Sequence, residues 1–198
     1  MKYLAIASVA SLALLAACNQ GGDSAAQNTS EAVNATQDAT SGVVGQTSAM
    51  TMGANTVDGF VTGLGTGNMY ELEAAKIAAA KSKNADVKAL AAMITKDHTA
   101  AGEKLAAAQA TAAPNVAIPT TLDERRKGLI DNLNAATPDD FDKVYLDQQV
   151  AAHNETLTLL NGFADNTEAT ALATLARELV TPVTTHRDRA RTLLDAMK

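Results

Sequence analysis

The chain has 198 residues and is poor in several residue types. It holds one cysteine, Cys18, so no intramolecular disulfide, redox dithiol or multi-thiolate metal site can form. Tryptophan is absent, and only three phenylalanines and three tyrosines occur. A core must therefore be built from Ala, Leu, Val, Ile and Met, which implies thin, closely packed helices. Basic charge is also in deficit: 16 Lys and Arg against 22 Asp and Glu give a formal net charge of −6. That balance argues against nucleic acid or anionic lipid as a partner. Catalytic signatures are missing as well. Gly63-Leu64-Gly65-Thr66-Gly67 lacks the lysine of a phosphate-binding loop, and there is no nucleophile elbow, dinucleotide fingerprint or zinc-protease helix. The expectation is a protein that is not an enzyme.

The N-terminus speaks to location. Lys2 precedes a largely apolar run from Leu4 to Leu15, too short to cross a bilayer as a helix. No second run is long enough. The first run ends in Leu15-Ala16-Ala17-Cys18, which resembles the bacterial lipobox: small residues before the cleavage point and a thiol to carry the lipid. Residues 1–17 are thus expected to be a lipoprotein signal peptide, with Cys18 lipidated and palmitate among its acyl chains. Asn19 rather than Asp follows the cysteine, which by resemblance to enterobacterial lipoproteins favours the outer membrane, with the domain facing the periplasm. Cleavage removes Lys2 and no acid, leaving 15 basic groups against 22 acidic ones, a net charge of −7.

Residues 18–56, Cys18 and the linker after it, are mostly Ser, Thr, Asn, Gln, Gly and Ala with few apolar side chains (Val33, Val43, Val44, Met50, Met52) and no Lys, Arg, Pro or aromatic residue. So little apolar surface does not offset the entropy of ordering. A flexible linker is expected there, spanning roughly 30–35 Å as a random coil.

Residues 57–198 form one domain of helical period throughout. A first long helix ends near Ser82, reaching back to Val57 through Gly59, Gly63 and Gly67. These glycines are either a stripe admitting a close neighbour or a flexible lead-in. A second runs from Asp86 to Ala112, a third from Asp139 to Ala164 and a fourth from Glu168 to Met197, with Pro182 inside it to kink it. Pro114, Pro119 and Pro138 bound a long connection that contains a short helix over Thr121–Leu133. Two short hairpins joined by one long crossover make an all-α, four-helix bundle of the ferritin-like arrangement.

All three histidines lie on apolar seams with steps of three and four, the signature of faces turned to a core. His98 follows Val87, Ala91 and Ile94; His153 follows Leu146 and Val150; His186 follows Leu179 and Val183. Glu71 shares its face with Ala74, Ala75 and Ala78, whereas Glu73 points to the solvated side. Residues equidistant from a tight turn lie level, and Glu71 and His98 are symmetric about position 84.5, so they are expected to touch. His153 and His186 are out of level by about seven residues, roughly 10 Å.

Several short motifs occur in the order seen in the ferritin-like family called domain of unknown function 4142, which the chain resembles over about residues 57–198. They are Gly67-Asn68-Met69-Tyr70-Glu71, Val87-Lys88-Ala89-Leu90-Ala91, Asp97-His98-Thr99, Phe141 to Leu146, Ala152-His153 and Pro182 to His186. The resemblance implies a bacterial envelope location and no established activity. Glu71, Asp97, His98, His153 and His186 match recurrent positions of that family, which implies a common role.

Three chemistries are open to Glu71, His98, His153 and His186, with Asp97 as a supporting carboxylate. One is a mononuclear site for zinc, iron or copper. A di-iron centre lacks its Glu-x-x-His motifs, since Thr95 and Val183 stand three residues before His98 and His186. Another is a structural polar cluster in which Glu71 and Asp97 satisfy buried imidazoles. The third is a pH or partner switch. The sequence reads as a lipid-anchored envelope protein in interaction or stress response with an unknown protein partner, or alternatively a metal-binding one.

Overall fold

The computed structural model describes residues 24–53 and 56–197, and among these every regular element is a helix. The signal peptide and Cys18 lie outside the described residues. Helix α1 spans Ser24–Ser48 and passes into a π-helical turn, Ala49–Gly53. The bundle follows as α2 (Val57–Lys81), α3 (Ala85–Ala112), α4 (Glu124–Ala135), α5 (Phe141–Phe163) and α6 (Thr170–Asp195).

Local chemistry starts these helices where the sequence places them. The Thr56 hydroxyl accepts from the Gly59 amide at 3.0 Å, and Asn84 Oδ1 accepts from the Asp86 amide at 2.8 Å. The Asp123 carboxylate accepts from the Arg126 amide at 2.8 Å. Each supplies a bond to an amide that the first turn leaves unpaired. The glycines of α2 are helical after all, and two of them admit close neighbours. A Cβ on Gly63 would stand 3.2 Å from Leu159 Cδ2, and one on Gly65 would stand 3.1 Å from both Ile118 and Pro119 of the crossover. Helix α6 continues unbroken through Pro182.

In cross-section α2 packs on α3 and α5, and α6 packs on the same two. The crossover, residues 113–140, carries α4 along the side of the bundle from one end to the other. Consequently α5 starts beside the α2–α3 turn. Phe141, Tyr145 and Leu146 share an apolar cluster with Ala78, Val87 and Leu90, closed from α6 by Ala190 and Leu194. The opposite end holds a second cluster, where Phe60 and Leu64 meet Leu105, Leu160, Phe163 and Leu172. Phe60 and Phe163 stack there with ring centroids 4.0 Å apart. Between the two clusters lies a layer of buried polar residues at the bundle's midpoint.

The segment expected to be a flexible linker differs. Over Ser24–Ser48 it is helix α1, lying against α4 and α5. The apolar argument behind the expectation still describes its composition, because over residues 32–51 the buried positions are Gly45 and Ala49. What seats the helix is polar. The Asp38 carboxylate accepts from Asn132 Nδ2 and Gln148 Nε2, each at 2.6 Å, and Arg125 donates to the Ser41 carbonyl at 3.2 Å. Gln46 donates to the Thr158 hydroxyl. At Gly45 the helix passes so close to the Arg125–Glu155 ion pair that a Cβ would run into the Glu155 carboxylate.

Candidate functional site

The polar layer is built by one residue position on each helix, one turn past the end of an apolar seam. His98 follows Ile94 on α3, His153 follows Val150 on α5, and His186 follows Val183 on α6. All three rings are buried; His153 and His186 are each 1% exposed. Their centroids form a near-equilateral triangle of 5.7, 5.6 and 5.3 Å. One ring nitrogen from each histidine lies within 4.8 Å of the other two.

The offset expected between His153 and His186 closes through side-chain direction. Helical side chains lean towards their own N-terminus. On α5 that direction leads away from the α5–α6 turn, and on antiparallel α6 it leads towards it. The two rings therefore lean to the same level.

Each ring has one nitrogen engaged. His98 Nδ1 is 3.0 Å from Asn68 Oδ1. His153 Nδ1 is 2.8 Å from the Gln149 carbonyl. His186 Nε2 is 3.0 Å from Asp97 Oδ2. All three acceptors are oxygens, so the engaged nitrogens carry the protons and the opposite nitrogens carry lone pairs. Those opposite atoms, His98 Nε2, His153 Nε2 and His186 Nδ1, are buried and have no hydrogen-bond partner. Burial holds His98 well below the usual imidazole range, with the His153 and His186 charges adding to the effect. Burial likewise pushes His153 down to about 3, helped by His186 and opposed by the Gln149 carbonyl bond. Both rings are thus neutral near pH 7, the state in which imidazole ligates a metal.

The expected Glu71–His98 contact is not the one formed. The α2–α3 turn is Ser82-Lys83-Asn84, centred at 83, and the residue level with His98 is then Asn68. An error of 1.5 residues in the centre of a turn moves the partner by three. Glu71 instead meets His153: its Oε1 lies 3.6 Å from His153 Nδ1. That is the protonated edge of the ring, so Glu71 sits behind His153 and not among the three bare nitrogens. The carboxyl is 2% exposed, and neither oxygen has a hydrogen-bond partner. Burial raises its pKa to about 8, against the pull of the Gln149 amide and the Arg126 charge. Asp97 reaches the cluster through its 3.0 Å contact with His186. Asn68 and the Gln149 carbonyl, to which the sequence reading assigned no bond, hold the His98 and His153 rings. Asn68 and Gln149 stand one turn before Glu71 and His153 on the same faces, which was the available signal.

Residues 43–193 match the family described as a domain of unknown function (DUF4142). The chain belongs to that family. No curated protein and no solved structure matches it. The family match begins at Val43, inside α1, so the last turn and a half of that helix is part of the DUF4142 unit.

The chemistry open to this DUF4142 domain follows from three buried imidazole nitrogens that bear lone pairs. Leaving a polar atom buried without a partner costs about 1–3 kcal/mol, and here three such atoms belong to rings whose centroids are 5.3–5.7 Å apart. A purely structural role for Asp97, Asn68 and Gln149 satisfies the outer nitrogens and leaves the inner ones bare. Three neutral imidazoles, each oriented by an oxygen behind it, are also how proteins present a transition metal. Nitrogens bound at 2.0–2.1 Å to one tetrahedral ion sit about 3.4 Å apart, so small ring rotations would close the triangle.

Proposed function

We propose that the protein is a lipid-anchored, metal-binding protein of the bacterial envelope. Its periplasm-facing bundle holds one first-row transition-metal ion on His98, His153 and His186. The observation that carries this reading is the set of three buried imidazole nitrogens without partners, all belonging to rings whose other nitrogen is fixed by an oxygen. Asn68, the Gln149 carbonyl and Asp97 orient the rings, and Glu71 stands behind His153. Imidazole suits zinc, copper and iron. The lipobox ending in Cys18 supports the anchor, and the absence of any helix able to cross a membrane among the described residues is consistent with attachment by lipid.

The test is metal analysis of protein purified without an affinity tag, followed by calorimetric titration with zinc, copper and iron. One ion per chain is expected. Binding at 100 times Kd should stabilise the fold by about 2.7 kcal/mol and raise its melting temperature. His98→Ala, His153→Ala and His186→Ala should each abolish that rise. A wild-type protein that binds none of the three ions at micromolar concentration overturns the metal site. The competing reading is an interaction or envelope-stress protein with an unidentified partner and no ion. It has one observation in its favour, the exposed Val33, Val43 and Val44 on α1.

A further inference from the structure

Helix α1 runs parallel to α5 in a register fixed at three points. Asp38 accepts from Gln148 Nε2, a Cβ on Gly42 would stand 3.4 Å from Ala151 Cβ, and Gln46 donates to Thr158. These partners are 110, 109 and 112 positions apart in the chain. Phe141, the first residue of α5, is then level with about residue 31 of α1. Ser24 lies about seven residues further out, roughly 10 Å past the start of α5.

The overhang is at the end of the bundle that carries the α2–α3 turn, where Lys81 Nζ sits 5.5 Å from the centre of the Phe141 ring. At its other extremity α1 passes into the π-helical turn, whose Ala49 packs in the cluster of Phe60 and Phe163. The helix therefore runs along the bundle from end to end, its 25 residues measuring about 37 Å.

Cys18 precedes Ser24 by six residues. Six residues reach at most about 22 Å at full extension, well short of the far end. A lipid on Cys18 is thus held near the α2–α3 end whatever path those residues take. A loose coil over residues 19–56 would instead let either end approach the membrane.

Charge favours the same end. Residues 76–88 hold Lys76, Lys81, Lys83 and Lys88 against Asp86 alone, and Lys83 and Lys88 are exposed. Asp139, Asp140 and Asp142 at the start of α5 offset part of this. The opposite α5–α6 turn has Asp165 and Glu168 and no basic group. An acidic chain is repelled least by an anionic bilayer through its α2–α3 end.

We infer that the bundle meets the membrane with its α2–α3 end, phospholipid headgroups facing Lys83 and Lys88, and that α1 is the strut that sets this orientation. The inference rests on the reading of Cys18 as the anchor.

The chain has no tryptophan, so Lys83→Trp and Thr167→Trp, both at exposed turn positions, each place a single fluorescent donor at one end. In the mature chain, residues 18–198, Cys18 is the sole thiol. It can be coupled to maleimide lipid in phosphatidylethanolamine–phosphatidylglycerol vesicles that carry a dansyl headgroup acceptor. Energy transfer in Lys83→Trp should exceed that in Thr167→Trp at least threefold. Equal or reversed transfer overturns the inference. Asp38→Ala combined with Gly45→Leu, made in each single-tryptophan chain, should detach α1 and bring the two transfers together. A difference that persists while protease cuts residues 24–53 and spares the rest of the bundle overturns α1 as the strut. Coupling through the thiol makes both results independent of acylation in the cell. Absence of palmitate on Cys18 in vivo would instead remove the anchor reading.

Discussion

Asp97 Oδ2 and His186 Nε2 lie 3.0 Å apart, joining α3 to α6 at the level of the histidine layer. The neighbouring residue on α3 is His98, so one turn of helix supplies both a ring of the cluster and the carboxylate that orients another. Asp97 is 35% exposed at its side chain and His186 only 2%. The pair thus runs from solvent to the buried site. Losing an orienting carboxylate of this kind costs 10–100-fold in metal affinity. Asp97→Ala is expected to weaken metal binding by that factor while leaving the helical circular dichroism spectrum intact. Unchanged affinity in calorimetry would remove Asp97 from the site.

The metal-free protein should show a stability maximum near pH 6.5. His98 and His153 are held neutral in the fold, His153 down at about 3. Between about pH 3 and 6.5 the unfolded chain binds more protons than the folded one, so stability falls as pH drops through this window. Glu71 acts in the opposite sense. Its folded pKa of about 8 exceeds the ordinary 4.5, so its contribution is full below 4.5 and is lost as pH rises through 8. From 6.5 to 8 that loss amounts to about 2 kcal/mol. Urea melts at pH 5, 6.5 and 8 measure it, and Glu71→Gln should flatten the alkaline limb. A wild-type curve that climbs steadily to pH 8 contradicts the burial of a protonated Glu71.

Helix α1 should be seated by Asp38 more than by its apolar residues. Asp38→Ala leaves Asn132 Nδ2 without its acceptor and Gln148 Nε2 with the Leu129 carbonyl at 3.1 Å alone, and Gln148 is also the acceptor for the Tyr70 hydroxyl at 2.8 Å. Limited proteolysis is expected to cut residues 24–53 faster in this variant, with the fragment from 57 onward still resistant. Equal cutting in both proteins would show that Asp38 does not hold the helix.

Cys18→Ser should abolish incorporation of labelled palmitate and release the protein from the membrane fraction. Retained label in the variant would exclude Cys18 as the anchor.

The bundle was legible because its period is strict. Val87, Ala91, Ile94 and His98 recur at helical steps and are all buried, as are Leu146, Val150 and His153. Pairing across helices was less legible, since level depends on the centre of a turn. The true centre at Lys83 moves the partner of His98 from Glu71 to Asn68. The His153–His186 contact was obscured for another reason: counting Cα positions ignores the lean of each side chain. Helix α1 was illegible by apolar area because it docks through Asp38, Ser41 and Gln46, whose partners lie far along the chain. Glu71 illustrates the mixture. Its inward face was plain from Ala74, Ala75 and Ala78, but nothing in the sequence shows that burial would leave both oxygens without a hydrogen bond.

The crossover gives the histidine triangle a topological meaning. His98 belongs to the first hairpin, while His153 and His186 belong to the second, and α4 lies between them in the chain without contributing a ring. A single ion shared by the three rings would act as a cross-link closing a loop from 98 to 153, or 55 positions, and a second from 153 to 186, or 33. Closing loops restricts the unfolded chain, by an amount that grows only slowly with length. The larger ring encloses α4 and both proline-bounded connectors, none of which approaches the centre. Binding at the midpoint would thus tether a helix on the flank of the bundle, and both hairpins would have to come apart together.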